Sequence, residues 1–165
     1  RARTPGTGPR AAVMTPSQLD ATVVTDRIQW VDRMIAGIRA LPLDSLDAFT
    51  ADARTVAAAE SYLRRALEAL LDLGRHVLAK GFGRPVSEYK EIASELVTLE
   101  ILDDAEGTLF RELAGYRNRM VHFYHELSTA ELYDICTGEL KDLEAIRDAI
   151  RHWIRTHPDS VDGQI

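Results

Sequence analysis

The segment from Gly115 to His125 gathers the side chains of this sequence that could do chemistry together: Arg117, Asn118, Arg119, His122, Tyr124 and His125. An imidazole titrates near neutral pH and can therefore move protons. A guanidinium can hold an oxyanion such as a phosphate by two parallel hydrogen bonds. The segment therefore offers both acid–base chemistry and anion binding.

A helix through this segment would arrange the side chains in two neighbouring stripes. Arg117 and Tyr124 lie on one stripe; Asn118, His122 and His125 lie on the other, where the Asn118 amide can hydrogen-bond the His122 ring. Arg117 and His122 are about 140° apart on such a helix and do not face one point. We therefore expect a two-fold dimer that places two such helices face to face and forms a composite site.

The same residues also fit a plainer interpretation, in which the histidine is a surface residue and the Arg–Asn pair only ends a helix. Polar residues on an earlier helix are interpreted as solvated or bundle positions, with Asp72 and His76 as a possible i, i+4 pair; this set is Glu60, Asp72, Arg75 and His76. Asp103, Asp104 and Glu106 suit a helix start, where the dipole favours acids. No metal and no cofactor is predicted.

Composition restricts the class of protein. The chain has 165 residues, 45% of them apolar, which is enough for one domain with a hydrophobic core. A formal net charge of −6 excludes a global basic field for nucleic acid, so contact with RNA would have to be local. The single cysteine, Cys136, cannot form an intramolecular disulfide, and no apolar run approaches the roughly 20 residues of a membrane span. We expect a cytoplasmic protein without membrane contact.

Apolar periodicity predicts an all-α, four- to five-helix up-and-down bundle, because apolar residues recur at steps of three and four. The predicted helices run from Ser17 or Asp20 to Leu41, over 51–80, from an N-cap at Ser87 to Leu99, over 105–123 after a cap at Asp103 or Asp104, and over 130–156 after a cap at Ser128 or Thr129. Residues 1–16 are predicted to be a disordered tail, 17–158 the helical domain and 159–165 a frayed end.

The run Arg117-Asn118-x-x-x-His122-x-Tyr124 resembles the Arg-x4-His-x-Tyr signature of the HepT-like toxins within the HEPN nuclease superfamily. The resemblance extends to the turn at 81–85, the helix start at 87–89, the lead-in at 113–116 and the order of the helices. It covers nearly the whole predicted domain.

The resemblance implies a homodimeric, metal-independent ribonuclease that is the toxin of a toxin–antitoxin pair, with RNA such as tRNA or mRNA as substrate. Its partner would be a minimal nucleotidyltransferase antitoxin, which inactivates the toxin by adenylylating a tyrosine near the motif. In this sequence Arg117 and His122 would be catalytic, and Tyr124 would be the modified residue. Asn118, Arg119 and His125 would support them. Two alternatives stay open: a non-catalytic HEPN-like module that binds a nucleotide or a partner, and a structural helical dimer.

Overall fold

The computed structural model describes residues 15–122 and 127–165. Within these ranges the chain forms seven α-helices and no β-strand. The helices are α1 (Ala21–Arg39), α2 (Leu46–Thr50), α3 (Ala53–His76), α4 (Tyr89–Thr98), α5 (Asp104–Val121), α6 (Thr129–Gly138) and α7 (Leu140–Thr156). A π-helical turn, Val77–Gly81, extends α3, and a short 3-10 turn, Pro158–Ser160, follows α7. The prediction of an all-α fold is confirmed.

Helix α3 is the central element, since it contacts each of the other six α-helices. The predicted apolar stripe of α1 is buried along its whole length, from Val24 to Ile38. On α3 every residue of the predicted stripe is buried except Val56, which is partly buried. At Gly74 the backbone of α3 runs so close to α4 that a Cβ would come within 2.8 Å of Ile92. The bundle is therefore tightly packed where α3 meets α4.

Of the three predicted N-caps, those at Asp103 and Ser128 are confirmed, and the one at Ser87 is wrong. Asp103 caps α5 in a reciprocal capping box with Glu106, and the Ser128 hydroxyl accepts the Glu131 N–H at the start of α6. Helix α4, however, begins one residue later than a Ser87 cap would place it. Glu88 takes the N-cap position without a side-chain capping bond, so Ser87 does not cap this helix.

The segmentation differs from the prediction at two points. A short helix, α2, lies where only a loop was expected, because five residues are too few to show a period; its Phe49 is buried against Tyr133. The predicted helix 130–156 is two helices, α6 and α7, separated at Glu139. Gly138, a poor helix former, immediately precedes this break.

The two ends of the described chain meet beside the end of α3. Leu19 pairs with Val161 in an isolated parallel bridge, and both side chains are buried. The Asp162 carboxylate accepts the N–H of Ala21. Residues 1–14 of the predicted tail lie outside the described residues, and fraying of 159–165 stays a prediction. None of the helices that the structure describes is long and apolar enough to cross a membrane.

Candidate functional site on helix α5

Helix α5 carries Arg117 on the stripe that faces the core. The residue follows Phe110, Leu113 and Ala114 at steps of seven, four and three, and all three of these are buried. A cation at the end of an apolar stripe must be accommodated by its neighbours, because charged side chains are rarely buried without partners. The Arg117 side chain is only 18% exposed.

Two helices supply the surroundings of Arg117. The guanidinium carbon lies 4.4 Å from the centre of the Tyr89 ring at the start of α4, and Nη2 lies 3.6 Å from Oε1 of Glu68 on α3. Neither contact is a hydrogen bond, and the buried Nε of Arg117 has no hydrogen-bond partner among the described residues. The aromatic ring and the charge of Glu68 therefore hold the guanidinium, which makes no hydrogen bond to the described residues.

His122 lies in a different environment at the end of the same helix. It is the C-cap residue of α5, with an extended backbone (φ −97°, ψ 114°), and its side chain is exposed. Its N–H donates to the carbonyl of Asn118 at 3.2 Å, but within the described residues the two side chains form no hydrogen bond. The predicted orientation of the His122 ring by the Asn118 amide is therefore not observed.

Within one chain, the structure does not bring Arg117 and His122 together. Arg117 packs inward on α3 and α4, and no hydrogen bond joins it to the exposed His122 in the part of the chain that the structure describes. Helix α5 ends at Val121, so the helical angle between the two residues no longer fixes the direction of His122. The imidazole is free to meet a partner from outside its own helix.

The end of α5 is tied to the helices that follow it. Nη2 of Arg119 donates to Glu131 on α6 at 2.8 Å, and the Tyr116 hydroxyl donates to Glu139 at 3.2 Å. Partial burial and the neighbouring Glu139 carboxylate raise the pKa of Tyr116 to about 12. The guanidinium of Arg119 is thus engaged in an ion pair, whereas that of Arg117 makes no hydrogen bond to the described part of the chain.

The remaining predicted site residues, Tyr124 and His125, lie outside the described residues, in the stretch 123–126 between α5 and α6. Their roles stay predictions.

Three residues near Arg117 were not recognised as part of the site from the sequence: Glu68, Tyr89 and Arg75. Arg75 was interpreted as a solvated position, yet its guanidinium carbon lies 5.0 Å from the centre of the same Tyr89 ring that Arg117 contacts. The available signal was periodicity, since Glu68 and Arg75 flank the buried Leu71 at steps of three and four. The contacts of these residues with Arg117 on α5 arise from tertiary packing, which the local sequence does not show.

Asp72 and His76 do not form the pair that their spacing allows. Asp72 lies between Arg27 and Arg75, at 3.9 and 3.8 Å. Nε2 of His76 instead accepts the N–H of Asp20 at 3.1 Å, and partial burial lowers the pKa of this imidazole. The described residues contain no group of three or more His, Cys, Asp or Glu side chains positioned to hold a metal ion.

Fold and site together define a class of protein: an all-α domain that presents an Arg-x4-His motif at the end of a helix packed on the central helix. Residues 31–150 match the family model described as "HepT-like: Ribonuclease HepT-like". The match spans more than half of the chain, so this chain belongs to the HepT-like family. No curated protein matches the sequence.

Solved structures with the same fold include a tri-AMPylated HEPN toxin of Shewanella oneidensis in complex with an MNT antitoxin. That toxin has a TM-score of 0.72 and 21% identity over 79% of this chain and 97% of its own. A toxin–antitoxin structure with AMP-PNP has a TM-score of 0.69 and 22% identity, over 79% and 98%. YutE of Bacillus subtilis, a cytosolic protein of unknown function, has a TM-score of 0.71 and 21% identity, over 86% and 94%. At these sequence identities the similarity shows a shared fold and nothing more.

The two motif residues should contribute differently to stability. Replacement of Arg117 by alanine removes a mostly buried stem and a cation–π contact, and we expect the free energy of unfolding to fall by about 1–2 kcal/mol. Replacement of the exposed His122 by alanine should change it by less than about 0.5 kcal/mol. Urea denaturation of both variants measures the difference, and equal destabilisation would contradict the packing described for Arg117.

Proposed function

We propose that this protein is a metal-independent endoribonuclease toxin, and that a nucleotidyltransferase antitoxin inactivates it. The observation that carries the proposal is the state of Arg117, which Tyr89 and Glu68 hold in place although it makes no hydrogen bond to the described residues and is 18% exposed. Membership of a family described as ribonuclease HepT-like supports the same reaction class.

The proposed reaction uses two side chains of the motif and a proton from solvent. His122 accepts the proton of a ribose 2′-hydroxyl as its oxygen attacks the adjacent phosphorus. The bond from phosphorus to the 5′-oxygen breaks, and that oxygen leaves as a hydroxyl after taking a proton from solvent. Arg117 stabilises the negative charge that develops on the non-bridging oxygens. The products are a 2′,3′-cyclic phosphate and a 5′-hydroxyl end.

A two-fold dimer would complete the site. In one chain Arg117 is directed at α3 and α4, whereas His122 is exposed at the end of α5. A second copy that packs against this end could bring its own His122 to Arg117, and the symmetric contact would create two such sites. This arrangement explains why one chain carries both groups without joining them.

Adenylylation of Tyr124 would inactivate the toxin by two physical effects. The adenylyl group is bulky and would occupy space beside His122, and its phosphate is anionic and would repel the RNA backbone. The solved structures of similar fold include an AMPylated toxin bound to its antitoxin, which supports a partner of this kind. Asn118, Arg119 and His125 would assist by positioning the site or by contacting flanking phosphates.

Cleavage of total RNA tests the reaction. We expect the purified protein to cut RNA in the presence of EDTA, because neither the base nor the oxyanion ligand is a metal. His122→Ala and Arg117→Ala should each lower the rate by at least about 100-fold, as expected for loss of a proton-transfer group or an oxyanion donor. Gel analysis of the fragments, with mapping of their 3′ ends, measures both the rate and the cyclic phosphate.

Arg39→Gln is the control for this comparison, because it removes a cation that is already bonded to Glu144, on the α1–α7 side of the bundle. This variant should cleave like the parent protein. Equal cleavage by all four proteins would contradict the site assignment. Binding of RNA without cleavage would instead favour the non-catalytic alternative.

Intact mass tests the proposed modification. Incubation with ATP and a cognate minimal nucleotidyltransferase should raise the mass by whole adenylyl units, and Tyr124→Phe should abolish the increase. Tyr116→Phe is the matched control, since the Tyr116 hydroxyl is already donated to Glu139 and is partly buried. If the Tyr124→Phe protein is modified and the Tyr116→Phe protein is not, the modified residue is Tyr116 and the assignment to Tyr124 is wrong.

A further inference from the structure

A second guanidinium accompanies Arg117 at the proposed site. The guanidinium carbons of Arg75 on α3 and Arg117 on α5 both lie within 5.0 Å of the centre of the Tyr89 ring. Three helices thus bring two cations to one aromatic side chain. Because like charges repel, two guanidinium groups gathered on one ring indicate a place suited to an anion.

These two arginines lack the hydrogen bonds that Arg39 and Arg84 make, a state that they share with other arginines of the described chain such as Arg33. Arg39 and Arg84 bind carboxylates at 2.6–2.9 Å through well-formed hydrogen bonds. Arg75 and Arg117 have carboxylate neighbours only at 3.8 and 3.6 Å and make no hydrogen bond to the described residues. Their donors are therefore uncommitted.

The burial of their Nε atoms distinguishes this pair from the other arginines of the described chain. Among the described residues, the buried side-chain nitrogen or oxygen atoms without a hydrogen-bond partner are Nε of Arg75 and Nε of Arg117. Buried polar atoms without partners are uncommon and costly, and they call for an explanation such as a missing ligand. The side chains of Arg75 and Arg117 are 36% and 18% exposed, so a ligand can reach other atoms of both.

The neighbouring acids do not neutralise this set. Glu68 is shared between Arg64 and Arg117, and Asp72 is shared between Arg27 and Arg75. Each carboxylate thus faces two guanidinium groups, so these two acids do not balance the four arginines around them. Such a local set of cations in an acidic protein is the kind of RNA contact that the overall charge permits.

We propose that Arg75 is a substrate-binding residue that acts with Arg117, so that the two guanidinium groups on Tyr89 hold one phosphate or two successive phosphates of the RNA backbone. The inference rests on the proposed ribonuclease function and extends it to a residue outside the Arg-x4-His motif. Tyr89 is the platform that sets the spacing of the two cations. The planar guanidinium suits this role better than an ammonium, because it can form two parallel hydrogen bonds.

Equilibrium binding of a fluorescein-labelled oligouridylate to the His122→Ala protein tests the proposal, since this background separates binding from cleavage. Addition of Arg75→Gln should weaken binding about five- to tenfold, as expected for loss of a charge-assisted hydrogen bond at a partly exposed site. It should also lower the slope of log affinity against log salt by about 0.7, the value for one phosphate contact on a single strand. Arg39→Gln, which removes an equal charge elsewhere, should change neither quantity.

Arg75→Lys keeps the charge and much of the aliphatic stem. It therefore serves as a second variant in case Arg75→Gln weakens binding only because the protein is destabilised. It should preserve the salt slope but still weaken binding, because an ammonium cannot replace the planar pair of donors. Equal effects of Arg75→Gln and Arg39→Gln would overturn the role of Arg75. An effect of Arg75→Gln in a protein whose parent does not cleave RNA would reject the ribonuclease and retain the phosphate site. Failure of the His122→Ala protein to bind the oligouridylate would overturn the phosphate site, whereas the ribonuclease function depends on the cleavage of total RNA.

Discussion

The burial of a cation at the end of an apolar stripe is the constraint on which the site depends. Helix α5 contacts α3 and α4, its Phe110, Leu113 and Ala114 are buried, and the helical repeat places Arg117 on the same stripe. A buried guanidinium without partners would be costly. Tyr89 and Glu68 reduce that cost without forming hydrogen bonds to it. The packing of the bundle thus determines where the positive charge of the motif is held.

The two motif residues differ because the helix ends between them. Arg117 lies within α5 and is held by two other helices, whereas His122 is the extended C-cap residue and is exposed. The ties from Arg119 to Glu131 and from Tyr116 to Glu139 fasten the end of α5 to the following helices. A fixed anion-binding group and an accessible imidazole are what a site shared between two chains would require.

Much of the fold followed from the spacing of apolar residues, because α1, α3, α5 and α7 are long enough to display the helical repeat. The short α2 could not be predicted in this way, since five residues show no period. The break at Glu139 was missed because the apolar stripes of α6 and α7 continue across it. The motif itself was visible as a local cluster of residue types. The sequence did not show that Tyr89, Glu68 and Arg75 lie near this motif. Only the packing of α3, α4 and α5 brings these residues to Arg117.

The central claim is that Arg117 of one chain acts with His122 of the other, and a mixed dimer tests it most directly. Co-expression of an Arg117→Ala chain and a His122→Ala chain with different tags allows the heterodimer to be purified away from both homodimers. In a shared arrangement one of its two sites retains both groups, so the heterodimer should cleave RNA at about half the rate of the parent dimer, although each homodimeric variant is inactive. An inactive heterodimer would contradict the account, because it would place both groups of each site in a single chain.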